Sequence, residues 1–149
     1  MTLHRTSKDD ERYRELVRKL DQFLSVTDGD DHAFYDQFNG SDDIPYVLVA
    51  EEDGRPIACG ALKPYDPTTL EVKRMYTVED RRGRGVAVRL LEELEAWARE
   101  LGYLRLVLET GKRQTAAVRL YEKYGFDRMA ENYGPYRTMD NSVCMERTL

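Results

Sequence analysis

The stretch Asp80-Arg81-Arg82-Gly83-Arg84-Gly85-Val86-Ala87 carries the residue types best suited to chemistry in this chain. It follows a strand-like run and opens the strongest helical repeat. Glycine lets a backbone turn tightly and approach a ligand closely. The unpaired N–H groups of a first helical turn converge on one point, together with the positive end of the helix dipole. With three arginines beside them, they make a site for a phosphate or pyrophosphate. The loop is not a P-loop, which needs Gly-Lys-Ser/Thr where this chain has Gly85-Val86-Ala87. Nor is it a dinucleotide loop, since it holds two glycines rather than three and follows a middle strand. A solvated arginine-rich turn with a glycine kept for packing is the structural alternative. The imidazoles and thiols, His4, His32, Cys59 and Cys144, stand too far apart for zinc spacing, so no metal is expected.

The elements that hold this loop are legible from periodicity. Tyr13, Leu16, Val17, Leu20, Phe23 and Leu24 predict a first helix, broken from Thr27 to Asp31, and a short second helix follows over His32–Phe38, ended by Asn39-Gly40. Tyr46–Ala50 and Ile57–Leu62 read as strands joined by an Asp53-Gly54 hairpin signal. Pro64-Tyr65-Asp66-Pro67 reads as a turn before a third strand, Leu70–Val78. Ala87, Leu90, Leu91, Leu94, Trp97, Ala98 and Leu101 then repeat at helical spacing up to Gly102. Leu104–Glu109 is a buried strand, Ala117–Tyr124 a shorter helix closed by Gly125, and two weak strands lie near Phe126–Ala130 and Ser142–Arg147. Strands and helices interleave in this order, which predicts an α/β (α+β mixed) sheet with helices on its faces.

With 149 residues, no repeat and no linker, the chain is expected to form one domain, 1–149. The formal charge of −5 disfavours a nucleic-acid partner, because phosphate neutralisation calls for a basic surface. No apolar run approaches the ~20 residues of a membrane span, and the two separated cysteines read as reduced core residues, so a cytoplasmic protein is expected.

The loop is one of three ordered blocks. Arg82-x-x-Gly85-x-Ala87 resembles the Arg/Gln-x-x-Gly-x-Gly/Ala signature of the GNAT superfamily of acyl-CoA-dependent N-acetyltransferases. Glu71–Thr77 resembles that family's fourth strand and Leu104–Thr110 its fifth. Gln114-x-x-Ala117-x-x-x-Tyr121-x-x-x-Gly125-Phe126 resembles its Asn-x-x-Ala-x-x-x-Tyr-x-x-x-Gly-Phe helix. The likeness covers Ala50 to Phe126 well and the ends loosely. It implies a central mixed, mostly antiparallel sheet of six to seven strands, splayed between strands four and five and flanked by about four helices.

The resemblance also implies an activity, acetyl transfer from acetyl-CoA to a primary amine of a small molecule by direct attack in a ternary complex. The pyrophosphate would rest on the backbone of Arg82, Gly83, Arg84, Gly85, Val86 and Ala87, with Gln114 in the same set. The pantetheine would lie along Met75, Tyr76 and Thr77, with the thioester near Leu108 and Glu109. Tyr121 matches the family's general acid; its alternative is a place in the apolar stripe. Glu71, eleven residues before Arg82, is the candidate base, Glu109 its rival, and pairing with Lys73 or Arg74 the structural alternative for Glu71. The acceptor would meet Asp28, Asp30, Asp31, His32, Tyr35, Tyr133 and Tyr136, carboxylates and rings that suit a cationic amine. Turn chemistry and helix capping explain the aspartates equally simply. A protein or peptide amine as acceptor, and a non-catalytic acyl-CoA-binding module, are the alternatives. The strand near Val143-Cys144-Met145 suggests a homodimer by analogy alone.

Overall fold

In the computed structural model, residues 1–27, 29–36 and 44–149 are described, leaving aside the side chains of Asp30 and His32. The described residues form one sheet of seven strands: β1 (Thr2–Thr6), β2 (Tyr46–Glu52), β3 (Arg55–Asp66), β4 (Thr69–Thr77), β5 (Arg105–Gly111), β6 (Asp127–Arg128) and β7 (Ser142–Thr148). Their spatial order is β1-β2-β3-β4-β5-β7-β6, antiparallel throughout except for the parallel pair β4–β5. Four α-helices accompany them among the described residues: α1 (Glu11–Thr27), α2 (His32–Asp36), α3 (Val86–Glu100) and α4 (Thr115–Tyr124). This is the mixed, mostly antiparallel architecture expected from the resemblance.

Several boundaries differ from the sequence reading. β1 was not expected, because Thr2-Leu3-His4-Arg5-Thr6 has one aliphatic residue and no buried position. It is an edge strand held by backbone pairing, from Thr2–Glu51 to Thr6–Val47, and its presence makes Thr69–Thr77 the fourth strand. β3 runs on through Pro64-Tyr65, read as a turn from its prolines; Pro64 pairs with Leu70 beside an irregularity in register. The turn comes after it, where the Asp66 carboxylate accepts the Thr68 backbone N–H at 2.9 Å. The strand expected near Phe126–Ala130 contracts to Asp127–Arg128 at the sheet edge. The expected end of the second helix, Gln37 to Gly40, lies outside the described residues.

The site-forming feature is a β-bulge. Tyr76 of β4 faces Cys59 and Lys73 faces Ala61, so Arg74 and Met75 together oppose the single residue Gly60. Arg74 takes the extra residue in the left-handed region, φ 59°. Glycine opposite makes room for it: a Cβ on Gly60 would stand 2.6 Å from Met75 Sδ and 3.1 Å from Leu94 Cδ1, so those side chains would have to shift. β4 and β5 pair only from Thr69–Arg105 to Glu71–Val107. Beyond Glu71 the two strands part, leaving the β5-facing edge of β4 unpaired.

α1 and α3 both pack on β2, β3 and β4, and on opposite faces: Arg5 of β1 pairs with Glu93 and Glu100 of α3, while its neighbour His4 shares Glu51 with Arg12 of α1. Leu90, Leu91, Leu94 and Ala98 of α3 are fully buried in the main core, as is Leu16 of α1. α3 starts from Gly85 in the left-handed region, φ 78°, with no side-chain cap. Its first N–H groups are therefore left for a ligand.

Gly60→Ala is expected to cost about 1–3 kcal/mol of stability in urea unfolding, the penalty of overpacking. A change below ~0.3 kcal/mol would mean that the bulge does not depend on the missing side chain.

Candidate active site

The parting of β4 from β5 opens a cleft of about 840 Å³. One wall is the free edge of β4, Met75 to Thr77; the floor is the loop before α3, with Arg82, Gly83, Gly85, Val86 and Ala87; Gln114, Leu120 and Tyr121 belong to the wall opposite. The expected cofactor residues are thus brought together, except Arg84, whose side chain does not line the cleft. Gly83 at φ 76° and Gly85 at φ 78° supply the left-handed turns that fold the loop under it.

The arginines of this loop serve largely as framework. Arg81 Nε donates to Glu52 at 2.9 Å, and Arg55 grips Asp80 through bonds of 2.7 and 2.9 Å that hold its carboxyl down to about 2. Arg82 folds back so that its guanidinium lies 5.5 Å from the Phe23 ring and 5.6 Å from the Tyr76 ring, while Nε donates to the Thr77 carbonyl at 2.9 Å. It fastens the end of α1 to β4 by cation–π contact. Arg113, at the head of α4, adds a bond from Nη1 to the Thr27 carbonyl at 3.3 Å. What the cleft offers an anion is therefore chiefly backbone N–H groups and the α3 dipole.

A smaller chamber of about 90 Å³ adjoins the cleft, and Leu20, Met75, Gln114 and Tyr121 line both spaces. Glu71, Lys73, Arg74 and Glu109 bring charge to its walls, and Tyr35 and Tyr136 bring rings. Glu71 and Lys73 share one face of β4 because side chains alternate along a strand. Glu71 Oε2 accepts a hydrogen bond from the Tyr133 hydroxyl at 2.6 Å, and Oε1 lies 3.8 Å from Lys73 Nζ. The pairing of Glu71 with Lys73 is present, and the same carboxylate lines the chamber. Arg74 is taken by Asp21 of α1 instead, Nη2 to Oδ1 at 2.7 Å. Burial pushes the Lys73 ammonium below its ordinary value, against the pull of Glu71.

The loop after β6 is fixed by Asn132, whose Nδ2 donates to the carbonyls of Tyr136, Met139 and Ser142 at 3.1–3.2 Å. It holds Tyr133 edge-on to Tyr136 at 5.5 Å, and Tyr136 stacks with Tyr35 at 6.3 Å. Tyr121 sits edge-on to Phe126, 5.8 Å between centroids, so the apolar-stripe reading holds alongside its place at the junction. Burial, then the charge of Glu109, pushes its phenol well above the usual range. A phenol so held stays protonated and can donate a hydrogen bond to a negative charge that develops beside it.

Of the residues expected at the acceptor, Tyr35 and Tyr136 line the chamber and Tyr133 anchors it through Glu71, whereas Asp31 lines neither space. Asp28 and the His32 side chain lie outside the described residues. The sequence reading gave Lys73 and Arg74 no binding role. The signal for them is a slipped alternation: Leu70 and Val72 are apolar, then two basic residues intervene and the phase resumes at Met75. Among the described residues no helix is long and apolar enough to cross a membrane, and no group of three His, Cys, Asp or Glu is placed to hold a metal.

Comparison with known proteins places the fold in a family. Residues 11–126 match the family model "Acetyltransferase (GNAT) family". The chain is 34% identical to an IAA acetyltransferase from Azospirillum brasilense, over 100% of this chain and 98% of that one. A solved structure from Klebsiella pneumoniae, named as an acyl-CoA N-acyltransferase, superposes with a TM-score of 0.82 at 28% identity, covering 99% of this chain and 97% of that one. A GNAT family acetyltransferase from Elizabethkingia anophelis, solved with acetyl-CoA bound, shares the fold at 21% identity and a TM-score of 0.70, over 99% of this chain and 97% of that one.

Ten tyrosines are present, and burial raises the phenols of Tyr121, Tyr133 and Tyr136, with Tyr124 pushed up to about 12. A phenol whose folded pKa exceeds its unfolded value of ~10 stabilises the fold fully below pH ~10, and that contribution is lost as pH rises toward the folded value. In an alkaline titration followed by phenolate absorbance, Tyr121, Tyr133 and Tyr136 should ionise only together with loss of helical signal. A single reversible phase for all tyrosines in the folded protein would contradict this.

Proposed function

Since the chain belongs to the GNAT acetyltransferase family, which uses acetyl-CoA, we propose that it transfers the acetyl group of acetyl-CoA to the primary amine of a small molecule, by direct attack in a ternary complex. The observation that carries this reading is the junction at Tyr121, where the long cleft over an uncapped helix N-terminus meets a separate chamber lined by carboxylates. The cleft suits a long phosphorylated thioester. The Arg82–Ala87 backbone takes its pyrophosphate, the free edge of Met75–Thr77 takes its amide-bearing arm, and Gln114 stands at the same wall. Acetyl-CoA supplies an activated acyl group; the chain supplies placement, a base and an acid.

An alkylamine with pKa ~10.4 is about 0.04% neutral at pH 7, a deficit of roughly 4.6 kcal/mol. Glu71 or Glu109 takes that proton, directly or through water, since both line the chamber. Glu71 keeps Oε1 toward Lys73 for this, its other oxygen being engaged by Tyr133. Backbone N–H groups on the unpaired edge of β4 can stabilise the carbonyl oxygen under attack. The Tyr121 hydroxyl donates toward the departing thiolate. The chamber volume of about 90 Å³ supports a small acceptor over a peptide segment.

Calorimetric titration with acetyl-CoA tests the cleft: wild type should bind in the micromolar range, and Gly85→Glu, which puts a charged side chain at a left-handed position, should abolish binding while leaving the circular dichroism spectrum unchanged. Absence of binding by wild type would sink the reading. Tyr121→Phe should keep acetyl-CoA affinity and lower kcat about 10²-fold. An unchanged kcat would mean that Tyr121 is core and nothing more.

A further inference from the structure

The chamber carries both signs of charge, two carboxylates from Glu71 and Glu109 and two cations from Lys73 and Arg74. Lys73 is answered by Glu71 at 3.8 Å. Arg74 is answered only in part. Its side chain is 2% exposed and Nη2 is held by Asp21, yet Nε and Nη1 are buried and find no hydrogen-bond partner among the described residues. Asp21 is itself 47% exposed, so water screens its charge and it offsets the buried guanidinium incompletely. Unpaired donors on a buried charged group are costly, and native proteins leave few of them. The same residue is the non-glycine held at φ 59° in the bulge. A strained backbone and unsatisfied donors thus coincide at one residue on the chamber wall.

We propose that the acceptor is a zwitterion, an amino acid or a small molecule with a carboxylate a few bonds from its amine, and that Arg74 holds the carboxylate through Nε and Nη1. The proposal rests on the acetyl-transfer reading and narrows its substrate class. Nε and Nη1 are shielded from water, so the carboxylate reaches them only if the guanidinium turns toward the chamber. The ammonium then faces Glu71 and Glu109, beside Tyr121, while the carboxylate faces Arg74 and Lys73. A simple amine meets the carboxylates but leaves the Arg74 donors unanswered. A peptide N-terminus has no carboxylate at that spacing. Arg74 is a specificity-determining residue here, because a site with donors for a substrate group rejects analogues that lack it.

The test is thiol release at saturating acetyl-CoA over amino acids, their amides and their decarboxylated amines. Wild type should favour the acid of a matched set by at least ~10²-fold in kcat/KM. Arg74→Gln should raise KM for that amino acid at least ~10-fold and lower the acid-to-amine ratio of kcat/KM by a similar factor. Arg74→Lys should recover part of the loss. If Arg74→Gln does not fold, the matched-set ratio on wild type decides alone. A decarboxylated amine used as well as its parent acid, or equal slowing of both by Arg74→Gln, overturns the zwitterion proposal. So does acetyl-CoA binding with turnover only on amines that lack a carboxylate. Failure to bind acetyl-CoA at all overturns the acetyl-transfer reading beneath it, and this proposal with it.

Discussion

Everything at the site depends on two parallel strands that stop pairing after three residues each. β4 and β5 are joined only up to Glu71–Val107, and the bulge at Arg74–Met75 turns β4 away from its neighbour. A row of backbone groups in mid-sheet is ordinarily satisfied by the adjacent strand. Here it is left to a ligand, and the sheet survives because α1 and α3 clamp β2, β3 and β4 from both faces. Gly60 makes this possible by clearing space for Met75.

Charge in this molecule divides between frame and function in a way that residue type does not reveal. Arg81 and Arg55 are occupied by Glu52 and Asp80, Arg82 by rings and a carbonyl, and Arg113 by the end of α1. The cationic loop is therefore a brace around backbone donors. In the chamber the reverse holds. Lys73 and Arg74 lie at and beside the bulge of β4, and their side chains are buried next to the carboxylates Glu71 and Glu109.

Periodicity revealed α3, α4 and the central strands because their apolar stripes are dense and end in glycines that favour the left-handed conformation. It missed β1, whose stability comes from backbone pairing at an edge and leaves no hydrophobic pattern. It misread Pro64-Tyr65 because proline signals a turn unless an irregular register admits it to a strand. The Tyr121 and Glu71 positions followed from motif spacing. The Tyr133–Glu71 bond did not, since it joins residues 62 apart through a loop held by Asn132 and by backbone turns that leave no periodic pattern.

That loop divides the two binding spaces along the chain. The cleft draws on β4, α3 and α4, between Met75 and Tyr124, with only Leu20 and Phe23 of α1 contributed from outside that stretch. The chamber draws in addition on Tyr35 from before this stretch and on Tyr136 from after it. On the proposed acetyl-transfer reading, the residues that hold the acyl donor form a nearly continuous cassette, and the acceptor chamber adds to it segments from either side. Substitutions in those added segments would then change the acceptor while leaving the grip on the acyl donor in place.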